Sequence, residues 1–118
     1  LLLSGVWSAK RTRTLMTICT VYITFKDPAE AKNIGRILFR NKIIACFNIF
    51  PEGLSMYMWQ GKLEESKETF AFAKLKESNF DKLCQEIKNL HSYEKPCILK
   101  IPIVGGNKDF LEWVRASS

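Results

Sequence analysis

Three observations predict an α+β chain with two helices laid on an antiparallel sheet. Two amphipathic segments with helix-start signals, one opening at Asp27 and one near Ser78, stand between runs rich in β-branched and aromatic residues. Between these helices, three extended runs follow one another with only turn residues to join them. The resulting order, β-α-β-β-β-α-β-α, is the split β-α-β plan of a ferredoxin-like sandwich with an extended central β-hairpin.

Each element has a local reason. The run TICTVYITF (17–25) predicts the first strand. Asp27 follows as a helix N-cap, with Pro28 at the first helical position and Glu30 three residues after the cap, a capping-box arrangement. Ala31, Ile34, Leu38 and Asn41, with Ile37 beside them, then give that helix one face to bury. IIACFNIF (43–50) predicts the second strand; its odd positions Ala45, Phe47 and Ile49 are apolar, and Cys46 and Asn48 share the opposite side.

Pro51-Glu52-Gly53 is expected to punctuate the chain before LSMYMWQ (54–60), and Gln60-Gly61 to turn it. ETFAFAKLK (68–76) then alternates bulky Phe70, Phe72 and Lys74 against small Thr69, Ala71 and Ala73. Ser78, with Asp81 three positions on, predicts the start of a helix whose Phe80, Leu83, Cys84, Ile87 and Leu90 keep the 3.6-residue period. PCILKIPIV (96–104) reads as the last strand, and Gly105-Gly106 breaks it before a closing helix capped by Asn107 that packs through Phe110, Trp113 and Val114.

At 118 residues and 47% hydrophobic, the chain fits one domain, expected over 16–118, without linkers or repeats. Residues 1–15 pair a short apolar patch with Lys10, Arg11 and Arg13. They are too short to span a bilayer and in the wrong order for a secretory signal. They are expected to form a flexible N-terminal extension, the remnant of a longer leader, with Met16 as an alternative start. Three of the 18 basic residues and none of the 12 acids fall there, so the net charge of +6 drops to +3 over the remainder. No nucleic-acid partner is expected, because no basic patch interleaved with aromatics and no DNA- or RNA-binding spacing is present.

The four cysteines, Cys19, Cys46, Cys84 and Cys97, show neither a zinc spacing nor a disulfide framework. They fit reduced thiols in the cytoplasm, with organelle or membrane association through residues 1–15 as the alternative. No hydrolase, kinase, dinucleotide or zinc-protease motif occurs, so the chain reads as no enzyme. His91, Tyr93 and Glu94 read either as a helix end or as a small polar cluster able to ligate a metal, or to hold an anion together with Lys74. Cys46, Asn48, Met56 and Met58 read either as core and interface packing or as soft donors of the kind Cu(I) prefers.

Taken together, ACFNI (45–49), then Ser55, Tyr57, Trp59, Gly61 and Lys62 in S-x-Y-x-W-x-G-K, then ETFAFAK (68–74), His91-x-Tyr93-Glu94 and LEWV (111–114) resemble the CutA divalent-cation tolerance family over about residues 17–115. The resemblance implies a homotrimer similar to the PII signalling proteins, with hairpin strands pairing between subunits and function in metal-ion tolerance. It implies copper or another divalent metal as ligand, with Cys46, His91 and Glu94 as metal residues and Trp59, Lys74 and Tyr93 lining an intersubunit cleft. A PII-like small-molecule or anion sensor, or a ligand-free scaffold assisting membrane anchoring of acetylcholinesterase, are the alternatives it leaves. This chain departs from the family pattern at Leu75, Ser92, Lys95 and Cys97; the last replaces an acid with a thiol, which disfavours a hard metal and favours a soft one.

Overall fold

The computed structural model describes residues 17–118, so the expected extension at 1–15 and the Met16 start lie outside the described residues. The elements are β1 (Ile18–Phe25), α1 (Pro28–Arg40), β2 (Cys46–Trp59), β3 (Lys62–Lys76), a 3₁₀ turn (Glu77–Asn79), α2 (Phe80–Leu90), β4 (Ile98–Pro102) and α3 (Lys108–Ala116). One four-stranded sheet runs in the order β2-β3-β1-β4, with every neighbouring pair antiparallel. This is the ferredoxin-like arrangement that the element order predicts. Among the described residues, no helix is long and apolar enough to cross a membrane.

The central meander differs from expectation. The runs read as two strands before the turn are one long strand, and the strand after it begins at Lys62 rather than Glu68. Pro51-Glu52-Gly53 does not end pairing; it bulges it. Phe50 faces Phe70 and Gly53 faces Glu68, so Pro51 and Glu52 together oppose Thr69. The Thr69 hydroxyl donates to the Pro51 carbonyl at 3.1 Å and fastens the bulge. At the far end Gln60 and Gly61 both take positive φ, 51° and 80°, the two-residue turn that matches strand twist. The ribbon thus extends past the rest of the sheet, since Lys62–Glu68 pair with β2 and not with β1.

The bulge has a consequence for faces. Before it Cys46, Asn48 and Phe50 lie with Lys74, Phe72 and Phe70; after it Ser55, Tyr57 and Trp59 continue that face. Leu54, Met56 and Met58 turn to the other side. The shared soft-donor face of Cys46 with Met56 and Met58, open in the sequence, is therefore excluded within one chain.

Helices α1 and α2 cover one side of the sheet. Ala31, Ile34 and Leu38 from α1 and Leu83 and Ile87 from α2 pack with Val21, Ile23, Phe25, Ala71, Ala73 and Leu75, all nearly or wholly buried. Each large aliphatic side chain there contributes about 1.5–3 kcal/mol by leaving water. Asp27 caps α1 by accepting the Glu30 N–H at 2.8 Å, and Asn107 caps α3 through the Asp109 N–H at 3.0 Å. Ser78 is not the cap of α2. A 3₁₀ turn precedes the helix, and Asn79 sends its amide to the carbonyls of Ile43 and Lys42 at 3.0 and 3.4 Å, tying the loop before β2 to the start of α2.

The opposite side of the sheet is aromatic and largely open. Tyr22 tilts against Phe72 and Phe70 with ring centroids 5.3 and 6.0 Å apart, and Phe50 meets Phe72 edge-on at 5.9 Å. Short α3 lies at its Ile18–Lys76 end, where the Ser118 hydroxyl accepts the Lys76 N–H at 2.9 Å. Beyond α3, Phe50 is 52% and Leu99 56% exposed, and on the ribbon Met58 and Trp59 are 64% and 60% exposed.

Candidate functional site

One polar cluster stands on the open face near the Lys76 end of β3, and a second is built around Glu68, midway along the strand. In the first, the antiparallel register puts Cys46 directly across from Lys74, and Asn48 one diagonal step away. The Lys74 ammonium lies 3.8 Å from Cys46 Sγ and hydrogen-bonds to Asn48 Oδ1; Cys46 Sγ itself lies 3.7 Å from Asn48 Oδ1. From α3 the Phe110 ring approaches the same ammonium, with its centroid 5.9 Å away and Trp113 beside it at 5.7 Å. Sequence reading placed Cys46 with Asn48 on one side of their strand and Lys74 with Phe70 and Phe72 on one side of another; the pairing of the two strands and the approach of Phe110 carry no local signal.

The second cluster is built on the loop that leaves α2. His91 Nδ1 accepts the Tyr93 backbone N–H at 3.0 Å, so Nε2 carries the proton and donates to the Thr24 carbonyl at 2.7 Å. The ring stacks on Phe25 at 5.1 Å and tilts against Tyr93 at 4.8 Å. Tyr93 in turn donates its hydroxyl to Glu68 Oε2 at 2.8 Å. Burial, then this hydrogen bond and the charge of Glu68, push the Tyr93 hydroxyl well above its usual titration range. Tyr22 is raised by burial and by its neighbours Cys97 and Glu68, and Cys97 by burial and Glu68. Burial first, and Glu68 as a smaller contribution, thus raise all three of these groups above their ordinary values.

Glu30 anchors this loop. Its two oxygens accept the Ser92 N–H at 2.8 Å and the Lys26 N–H at 3.2 Å. Burial alone would raise its pKa; the Ser92 and Lys26 hydrogen bonds and the nearby His91 bring it below the usual carboxylate value. Glu30 and Glu68 are the partners that sequence reading did not assign to the site, since each reaches a residue far along the chain.

The remaining candidates stand apart. Glu94 is solvent-exposed, and Trp59 sits beside the hairpin turn opposite Lys62. Lys74 and Glu68, which mark the two clusters, are six positions apart on one strand, roughly 20 Å. Among the described residues, no three His, Cys, Asp or Glu side chains converge in a single chain to hold a metal ion. Cys46 and Asn48 offer a neighbouring sulfur and oxygen, and both ring nitrogens of His91 are already engaged.

Comparison with known proteins agrees with this architecture. The profile of the family described as CutA1 divalent ion tolerance protein matches residues 19–117. The divalent-cation tolerance protein CutA of Archaeoglobus fulgidus is 40% identical over 94 residues, 80% of this chain and 91% of its own. The chloroplastic protein CutA 1 of Oryza sativa is 34% identical over 118 residues, covering 98% and 67% of the two chains. The crystal structure of CutA1 from Oryza sativa superposes with a TM-score of 0.84 at 33% identity, covering 89% of this chain and 96% of that one. That of the Archaeoglobus fulgidus protein, described as periplasmic, gives 0.78 at 38% identity over 82% and 94%.

Proposed function

The chain belongs to the CutA1 divalent ion tolerance family, and we propose that it is a non-enzymatic homotrimer that binds copper or another divalent metal at the seams between copies. One observation carries this reading. Cys46 stands across from Lys74 on the open aromatic face, whereas His91 packs on Phe25 at the Thr24 end of β1 and Glu94 is exposed, and no three such donors gather within one chain among the described residues. A site that draws on both Cys46 and His91 needs a second copy, and the open face exposes the apolar surface that a second copy would cover. Trp59, Lys74 and Tyr93 line the cleft in this reading. The four free thiols support a reducing, cytoplasmic setting.

The test is a Cu(I) titration of the purified protein beside its Cys46→Ser variant. Loss of affinity in the variant supports the reading; identical affinity removes Cys46 from it. A second reading, a PII-like sensor of small anions using Lys74 and His91, is favoured by the absence of any carboxylate ion-paired with Lys74 among the described residues. It predicts thermal stabilisation by anions rather than by metals.

A further inference from the structure

We propose that the outer face of α1, extended by Lys42, is a docking surface for a lipid bilayer rich in anionic headgroups. The solvent side of α1, opposite the buried Ala31, Ile34 and Leu38, consists of Ala29, Lys32, Asn33, Arg36, Phe39 and Arg40, all exposed. Lys32, Arg36 and Arg40 form one stripe, four residues or about 6 Å apart along the axis. No acid stands on this side, and exposed Lys42 follows in the turn after the helix.

These four cations hold the surplus charge of the fold. Residues 17–118 carry 15 basic and 12 acidic side chains, so that outside the four the acids are in excess by one. None of the four has a carboxylate ion-pair partner among the described residues. Two carboxylates of the helix layer are engaged elsewhere: Glu30 accepts the Lys26 and Ser92 N–H groups, and Glu86 accepts the Asn41 amide at 3.0 Å.

Two features of the face cost stability with no return inside the chain. Like charges four residues apart, Lys32 with Arg36 and Arg36 with Arg40, repel along the helix. Lys42 takes a φ of 56°, in the left-handed region that favours glycine. Its N–H donates to the Phe39 carbonyl at 3.0 Å and the Ile43 N–H to the Leu38 carbonyl at 2.9 Å, the closing turn in which glycine is the usual residue. A lysine there gives up backbone ease and adds a fourth unpaired cation.

Unpaired cations attract any polyanion; Phe39 narrows the choice. Its ring is 46% exposed and lies between Arg36 and Arg40 in the sequence of the helix. An aromatic ring among cations suits a bilayer surface, where phosphates meet the charges and the ring enters between headgroups. A single-stranded nucleic acid draws on a series of rings to stack its bases, and this face has one.

Flotation of the whole chain with vesicles of phosphatidylglycerol and phosphatidylcholine in equal parts, beside vesicles of phosphatidylcholine alone, tests the surface. The wild-type protein should float with the anionic vesicles only and be released by salt. Arg36→Gln with Arg40→Gln should weaken binding about thirtyfold, whereas Lys108→Gln with Arg115→Gln, the same charge loss on α3, should not change it. Phe39→Ala should weaken binding to vesicles and leave binding to heparin as in wild type. Lys42→Gly should bind about fivefold more weakly and yet unfold at a higher urea concentration, a pair of opposite effects that a purely structural lysine would not give. Failure of the wild-type protein to float with anionic vesicles overturns the proposal. So does binding that survives Arg36→Gln with Arg40→Gln, which would place it on residues 1–15 or elsewhere, and so does an equal loss in the α3 variant, which marks a general charge effect. Vesicle binding indifferent to Phe39→Ala marks a surface for polyanions at large and overturns the bilayer as its partner.

Discussion

The Glu30 carboxylate accepts the Ser92 backbone N–H at 2.8 Å, joining the first turn of α1 to the loop after α2 across 62 positions. A residue whose spacing marks it as half of a capping box therefore also aims the segment that carries His91 and Tyr93. Its pKa is held below the usual carboxylate value, so it adds stability at neutral pH that is lost as the pH falls through the folded value. Glu30→Gln is expected to lower unfolding stability by about 1 kcal/mol near neutrality, since the bonds are partly exposed. Urea denaturation across acid pH checks this: the gap between the two proteins should close as the carboxylate protonates.

Cys19 gives the opposite pH signature. Burial, with the charge of Glu77, raises its thiol from 9.0 to about 11. A thiol held protonated in the fold adds stability below the unfolded value, and that stability disappears as pH rises toward the folded one. Stability should therefore fall between about pH 9 and 11, and fall less steeply in Cys19→Ala. Alkylation followed by mass spectrometry should find Cys19, 1% exposed, the last of the four thiols to react.

Gly53 holds the bulge. A Cβ there would sit 2.3 Å from Phe70 Cε2 and 2.7 Å from the Glu68 carbonyl oxygen. Gly53→Ala is expected to destabilise the protein by about 1–3 kcal/mol, read as a lower urea midpoint. A midpoint equal to wild type would mean that the ribbon shifts freely at this point.

The fold was largely legible because local signals agree with it. The Asp27 and Asn107 caps, the buried stripe of α1, and the alternation of Phe70 and Phe72 against Ala71 and Ala73 each carry their meaning within a few residues. Legibility ended where the cause is distant. Pro51-Glu52-Gly53 has the composition of a break, yet β3 continues alongside and turns it into a bulge, which moves Met56 and Met58 to the other face. Asn79 replaces Ser78 at the start of α2 because the carbonyls of Lys42 and Ile43 need a donor. At the site, the shared side of Cys46 and Asn48 was readable from strand alternation, whereas Lys74 on that pair, Glu68 on Tyr93 and Phe110 near Lys74 depend on contacts across 25 or more positions.

Phe50, Leu99 and the ribbon residues Met58 and Trp59 leave an apolar surface that further copies of the chain would cover, and the proposed metal seams exist only if they do. Light scattering of the purified protein at micromolar concentration measures this directly. The expected particle has three times the 13.6 kDa chain mass. A single-chain particle of 13.6 kDa with a fully folded circular dichroism spectrum would contradict it.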